Sequence, residues 1–257
     1  MKKTAYDVIL YLVAFAAIQI IVSFGTLLGK PFGLQPDDPI MLVAISATAS
    51  IITLLLFLWR KWTPVGKTYI QSKPWATLIW SGVAAIGVVI PSVWLQEQMP
   101  ALPDTAGDTL QKIISTPGGY FVIALLAPVV EEVVFRGAIL RKLLSSMQSK
   151  WGAICFTAAL FALIHANPAQ MPHAFLMGLL MGWLYMRTES IVPGMVFHWA
   201  NNTVAYLMTV AYPGDETKLV DIFGGNEKAV WMSVVFSMCI FIPALFQLNI
   251  WTKKRGR

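Results

Sequence analysis

Apolar residues in this chain come in long runs, separated by short stretches rich in Lys, Arg, Gly and Pro. Eight runs stand out, at positions 8–28, 39–59, 75–95, 120–140, 151–166, 172–187, 191–212 and 230–251. Most approach the roughly 20 residues that a helix rising about 1.5 Å per residue needs to cross about 30 Å of hydrocarbon. They must be helical, because an open strand in lipid would leave its backbone N–H and C=O groups unpaired. No run shows the period-two alternation of a β-barrel. The pattern predicts an all-α polytopic membrane protein, a single integral-membrane domain built as a bundle of eight transmembrane helices.

Composition agrees. Hydrophobic side chains make up 57% of the 257 residues and charged ones 12%, about half the roughly 25% of soluble domains. The net charge of +6 points to the membrane surface and not to nucleic acid, because the basic residues lie between apolar runs. The opening Met-Lys-Lys reads as the flank of an uncleaved first span. With the N-terminus inside, fifteen Lys and Arg fall on the inner side, and only Lys30, Lys112, Lys218 and Lys228 fall outside. That bias places both termini in the cytoplasm, and the basic tail from Trp251 against anionic headgroups. The longest loops, 96–119 and 213–228, are external and mildly acidic. Cys155 and Cys239 sit in apolar runs without disulfide or metal spacing, and are expected to be small buried hydrophobes. Gly178 and Gly182 form a G-x-x-x-G, expected to pack the sixth helix closely against a neighbour.

Ionisable side chains inside a span are costly and mark function or a tight pair. Here they concentrate in spans four to seven: Glu131, Glu132 and Arg136, then His165, His173, and His198 with Asn201 and Asn202. Successive helical residues point about 100° apart, so the two adjacent carboxylates serve different ends. Glu132 and Arg136 are spaced i, i+4 with the acid first, the favourable order for an ion pair. Glu131 has no partner on its own helix. It must bond to a histidine of another helix, take up a proton, or act as a general base in a low-dielectric cavity. Phe161 lies one turn before His165 and is placed to wall its ring. Spans five and six are short, and the Ala166–Pro172 turn between them, with two prolines and two amides, is expected to dip into the protein interior. Depth counted from the inner ends puts the cluster in the inner half of the membrane, with His165 too deep unless its helix starts below the surface or tilts.

The three motifs Glu131-Glu132-x-x-x-Arg136, Phe161-x-x-x-His165 and His198-x-x-x-Asn202 resemble, in this order, those of the CPBP family, the CAAX proteases and bacteriocin-processing (Abi) proteins. The family includes the type II CAAX prenyl endopeptidases, and the resemblance covers about 85 residues. It implies an eight-helix intramembrane endopeptidase that hydrolyses peptide bonds of membrane-associated or membrane-embedded substrates. It further implies helices scaffolding a site in 1–115, catalytic core helices in 116–212, and an outer loop with a last helix in 213–257. Carried over position by position, Glu131 would activate water, and His165 and His198 would orient it or stabilise developing charge. Asn202 would bond the oxyanion, and Glu132 with Arg136 would support the site or bind substrate. His173 lies outside the motifs and receives no role.

One carboxylate and two imidazoles also form a donor set for a divalent metal such as zinc, through Glu131, His165 and His198. A metal-free, glutamate-type mechanism without cofactor is favoured. The expected partners are a peptide or membrane-protein substrate and the lipid bilayer, with no nucleic acid, and the expected location is a bacterial plasma membrane. Two other classes compete. A proton-coupled transporter would show an inverted repeat and polar residues in both halves, and neither is visible. A non-catalytic scaffold or bacteriocin-immunity protein would not need the complete motif set.

Overall fold

The computed structural model describes residues 2–33, 35–66, 75–212 and 217–252. Lys67, Lys73 and the basic tail from Lys253 to Arg257, which enter the inside count, lie outside the described residues. Among the described residues every regular element is helical. Helix α1 (Lys2–Ser23) continues as a 3-10 stretch, Phe24–Phe32; α2 (Pro39–Trp59) and α3 (Trp75–Glu97) follow. A short α4 (Gly107–Ile114) precedes α5, an unbroken rod made of Phe121–Leu126, Ala127–Glu131, Glu132–Leu140 and Arg141–Ser146. Then come α6 (Lys150–Ile164), α7 (Met171–Thr188), α8 (Val192–Ala211), the single turn α9 (Leu219–Ile222) and α10 (Glu227–Trp251).

The eight long helices coincide with the eight expected runs, apart from their ends. Four of them, α1, α2, α3 and α10, are long and apolar enough to cross a membrane by length and composition. The chain is an integral membrane protein. The other four differ for a physical reason. Helices α5, α7 and α8 carry ionisable and amide side chains that lower their hydropathy, and α6 is apolar but only 15 residues long.

Helix α5 departs most from expectation. It runs on to Ser146, beyond the predicted end at 140, and its first and third segments are π-helical. The Ala127 N–H reaches back to the Val122 carbonyl and the Arg141 N–H to the Arg136 carbonyl, each across five residues. Such turns mark helices whose side chains are re-aimed, often at functional sites. Around Glu132 this rod forms the core: Val134, Phe135, Ala138, Ile139 and Leu140 are fully buried.

Helices α6 and α7 pack through the glycine pair. A Cβ on Gly178 would lie 3.0 Å from the Ala158 Cα, and one on Gly182 would lie 2.9 Å from the Ile154 Cγ2. Only glycine admits that approach, which is the close packing the G-x-x-x-G predicted. The cysteines are a correction. Cys155 and Cys239 are both exposed, so in a bilayer they face lipid, where a small apolar side chain needs no burial in protein.

The helix ends are tied into two distinct layers. At one end, an Arg141 guanidinium N–H donates to the Trp62 carbonyl at 2.8 Å, Lys142 pairs with Asp7 at 2.7 Å, and Arg187 donates to the Asn249 carbonyl at 2.8 Å. At the other, the Gln96 amide donates to the Ala169 carbonyl at 2.9 Å. There too the Tyr206 hydroxyl donates to the Ile114 carbonyl at 3.1 Å, and the Leu219 N–H to Glu97 at 2.7 Å. The predicted external loop 96–119 therefore contains a docked helix, α4, with Ile113 and Ile114 buried on the bundle. The Ala166–Pro172 turn is held in this layer. Asn167 is fully buried, accepting from the Thr105 N–H at 3.1 Å and donating to Asp104 at 2.8 Å. Ala166 takes a left-handed φ of 51°.

Candidate active site

The two adjacent glutamates part as helix geometry requires. Glu132 points into the core and is fully buried, its Oε1 receiving the Arg136 Nη1 at 2.6 Å. Arg136 is equally buried, donates through Nη2 to the Gly178 carbonyl at 3.3 Å, and lies 4.6 Å from the centre of the Phe161 ring. Room for the carboxylate comes from Gly194, where a Cβ would lie 2.6 Å from the Glu132 Oε2. Glu131 turns the other way. Its side chain is 21% exposed and lines a cavity of about 360 Å³.

Helix α8 sets His198 between the two acids. Its Nε2 stands 3.7 Å from the Glu131 Oε2 and its Nδ1 3.5 Å from the Glu132 Oε1. Neither contact is a hydrogen bond, and the buried Nδ1 has no hydrogen-bond partner among the described residues. The imidazole is therefore poised rather than locked. His165, the C-terminal cap of α6, lies 2.7 Å through Nδ1 from the Phe161 carbonyl. A carbonyl only accepts, so a proton sits on Nδ1, and in the neutral tautomer with that proton the lone pair is on Nε2. The Phe161 ring meets both imidazoles edge to face, at 4.9 Å from His165 and 5.8 Å from His198.

Asn202 is anchored through a helix defect. Pro128 has no N–H, so in the π-helical register the Ile123 carbonyl loses its donor five residues on. The Asn202 Nδ2 supplies one at 3.1 Å, and its second N–H remains for other work.

The four residues expected to act together, Glu131, His165, His198 and Asn202, all line the one cavity; Glu132 and Arg136 lie beneath it. Two further residues join the wall. The Asn201 Nδ2 lies 3.2 Å from the His173 Nε2 and 3.5 Å from the Asn202 Oδ1. His173 carries no motif, but a signal was present: Met177 and Met181 follow it at i+4 and i+8, and both line the cavity. A second cavity of about 180 Å³ reaches Glu131 from the α1–α2 side, between Gln19, Ser46 and Ser50.

The cavity lies toward one end of the bundle. Gln96, Leu110, Ile114, Gln170, Tyr206 and Thr209 line the cavity, and all belong to the Lys-poor end of the bundle. Counting from position 140 understated the depth of Glu131, because α5 continues to Ser146. Glu131 lies 15 residues from that end, about 22 Å along the helix, and His165 lies 15 residues from the start of α6. The two agree without tilting α6.

For zinc, three donors must converge within about 2.3 Å of one point. Among the described residues no three His, Cys, Asp or Glu side chains are grouped to do so, so Glu131, His165 and His198 are not gathered as a metal donor set.

A family model described as type II CAAX prenyl endopeptidase Rce1-like matches residues 114–204. This part of the chain is similar to that family. The matched segment of the CAAX endopeptidase family, a peptidase family, encloses Glu131, Glu132, Arg136, His165, His198 and Asn202, and leaves out α1, α2, α3 and α10. No curated protein and no solved structure matches the chain.

Proposed function

We propose that the chain is an intramembrane endopeptidase of glutamate type, with eight membrane crossings and both termini in the cytoplasm of a bacterial cell. The observation that carries the mechanism is the His198 ring suspended between a buried, Arg-paired carboxylate and a cavity-facing one. Glu132, held by Arg136, backs His198 on the side away from the cavity. Glu131, free on the cavity side, is the general base.

Glu131 takes a proton from water as the water oxygen attacks the peptide carbonyl carbon. The unshared Nε2 of His165 accepts the water's other hydrogen and aims the oxygen. Charge moves to the former carbonyl oxygen, where the spare N–H of Asn202 and a His198 N–H receive it. A preorganised donor of this kind is worth about 10²–10³ in rate. Collapse of the tetrahedral intermediate breaks the C–N bond, and the proton on Glu131 passes to the leaving amine.

The test is cleavage of membrane-spanning peptides by purified wild type and Glu131→Gln in proteoliposomes, with and without a zinc chelator. Wild-type cleavage that survives chelation and is lost in Glu131→Gln supports the reading. Equal activity of the two proteins overturns it, and loss on chelation overturns the metal-free form.

A further inference from the structure

The cavity opens at one end of a bundle whose two ends carry opposite charge. Among the described residues, the end holding the α2–α3, α5–α6 and α7–α8 connections carries Lys3, Arg60, Lys61, Arg141, Lys142, Lys150 and Arg187, against Asp7 and Glu189. The end holding α4, α9 and the α6–α7 turn carries Lys112, Lys218 and Lys228, against Asp37, Asp38, Glu97, Asp104, Asp108, Asp221 and Glu227. With Lys2 and Lys30 counted from the sequence, eight to two at one end becomes four to seven at the other. The positive-inside rule counts the Lys and Arg, and puts the basic end in the cytoplasm.

The reacting groups lie toward the acidic end. On the basic side, Phe135, Ile139, Leu140 and Leu184 are buried to within 1% in the packed core. Above them, two further cavities adjoin the first. One of about 230 Å³ shares Leu110 and Thr209 with it and reaches Asp104 and Gln111. The other, of about 630 Å³, shares Gln96 and runs past Glu97 to Lys218. Polar-lined hollows thus adjoin the cavity at the acidic end of the bundle.

We propose that this site is served from the extracytoplasmic face: its substrates are peptide segments presented at the outer leaflet, not the cytoplasmic ends of proteins. The chemistry invoked is that of the proposed endopeptidase, but the direction of access stands on charge and cavity geometry alone. The acidic rim adds a preference, since it draws in cationic segments and makes their capture weaken with salt.

The experiment separates the two claims. In a variant with Cys155 and Cys239 replaced by Ser, a single cysteine is introduced at Gln170 on the cavity wall. Thr109 serves as the acidic-end control and Gln148 as the basic-end control. Intact cells and inverted membrane vesicles are treated with a membrane-impermeant sulfonated maleimide. Gln170→Cys and Thr109→Cys label in intact cells, and Gln148→Cys labels only in inverted vesicles. Labelling of Gln170→Cys only from inverted vesicles overturns the proposal, whatever the enzyme's activity. A loss of cleavage common to Glu131→Gln and wild type would instead sink the protease reading and leave the access result standing.

A separate observation concerns His173. The Asn201 amide nitrogen lies between two acceptors, the His173 Nε2 and the Asn202 Oδ1. Holding Asn202 by its oxygen there, and by one N–H at the Ile123 carbonyl, fixes where its spare N–H points. We infer that His173 is a positioning residue, neutral and protonated on Nδ1, that orients the proposed oxyanion donor through Asn201. His173→Phe should lower kcat about tenfold with KM unchanged, less than the roughly 10²–10³ of removing the donor itself. His173→Gln, whose carbonyl can accept the same N–H, should recover part of the loss, which separates positioning from packing. In an Asn202→Ala background His173→Phe should cost nothing more. An undiminished loss in that background, or a change confined to KM, overturns the inference.

Discussion

Helices α1, α2 and α10 and helices α5 to α8 solve opposite problems within one chain. In the first group only 17% of the most apolar window is buried inside the protein, and Ile9, Leu55, Trp231 and Phe236 face outward. Lipid is their solvent, and apolar length is what they contribute. The second group also meets lipid, through Phe156, Leu163 and Leu207, but turns Glu132, Arg136, His198 and Asn201 inward and buries them almost completely. The difference shows where a membrane protein keeps its polar chemistry. It lies on helices that are too polar or too short to read as spans by composition, one of them irregular in hydrogen bonding.

If that division is real, activity and stability respond to substitution in different places. The largest effect belongs to Glu131. Glu131→Gln keeps the shape and removes the base, so cleavage should fall by about 10²–10⁴ with the melting temperature unchanged. A melting temperature lowered as much as by a core truncation would mean that Glu131 is structural glue.

Arg136 should behave in the reverse manner. Removing one partner of a buried ion pair costs about 3–5 kcal/mol, because the other charge is stranded, and Glu132 has no exposure to relieve it. Arg136→Gln should unfold at clearly lower temperature in detergent, and its folded fraction should keep far more activity than Glu131→Gln. The scaffold counterpart is Phe57, fully buried in a ring cluster with Tyr11 and Trp62 at 6.0 and 5.0 Å. Phe57→Ala should lower the melting temperature while the folded fraction keeps its specific activity. Reduced specific activity at full folding would erase the boundary between the regions.

How far this was readable without coordinates differs by region for the same reason. Scaffold spans are legible because lipid imposes one requirement, apolar length, and α2 was placed to the residue. The Glu132–Arg136 pair was legible because helix periodicity alone brings i and i+4 together. The course of α5 was not. Its π-helical turns answer to Pro128 and to contacts with α8, so neither its extension to Ser146 nor the depth of Glu131 followed from composition. Asn202 was readable as a polar residue in a span, but its bond to the Ile123 carbonyl depends on that same irregular backbone. His173 was missed because its partner lies 28 residues away on another helix. The exposed cysteines were missed because an apolar run does not say which face meets lipid.

The smallest effect probes the seam between the regions. Helix α4 lends Leu110 and Ile114 to the cavity, yet Lys112 ties it to the α1–α2 connection through Asp37, at 2.6 Å. That hydrogen bond from the Lys112 ammonium, with its charge, holds the Asp37 carboxyl below its ordinary value of 3.8. A carboxylate whose folded value is depressed stabilises the fold above its unfolded value, and the contribution disappears as pH falls through the lowered one. Both partners are well exposed, 41% and 68%, so water and salt screen the pair. Lys112→Met should therefore shift the melting temperature only slightly at neutral pH and not at all once Asp37 is protonated in both proteins. Cleavage should be nearly unchanged, because the buried Ile113 and Ile114 seat α4 more firmly than an exposed bridge does. A loss of cleavage approaching that of Glu131→Gln, at unchanged melting temperature, would make α4 part of the catalytic apparatus and move the boundary outward to include it.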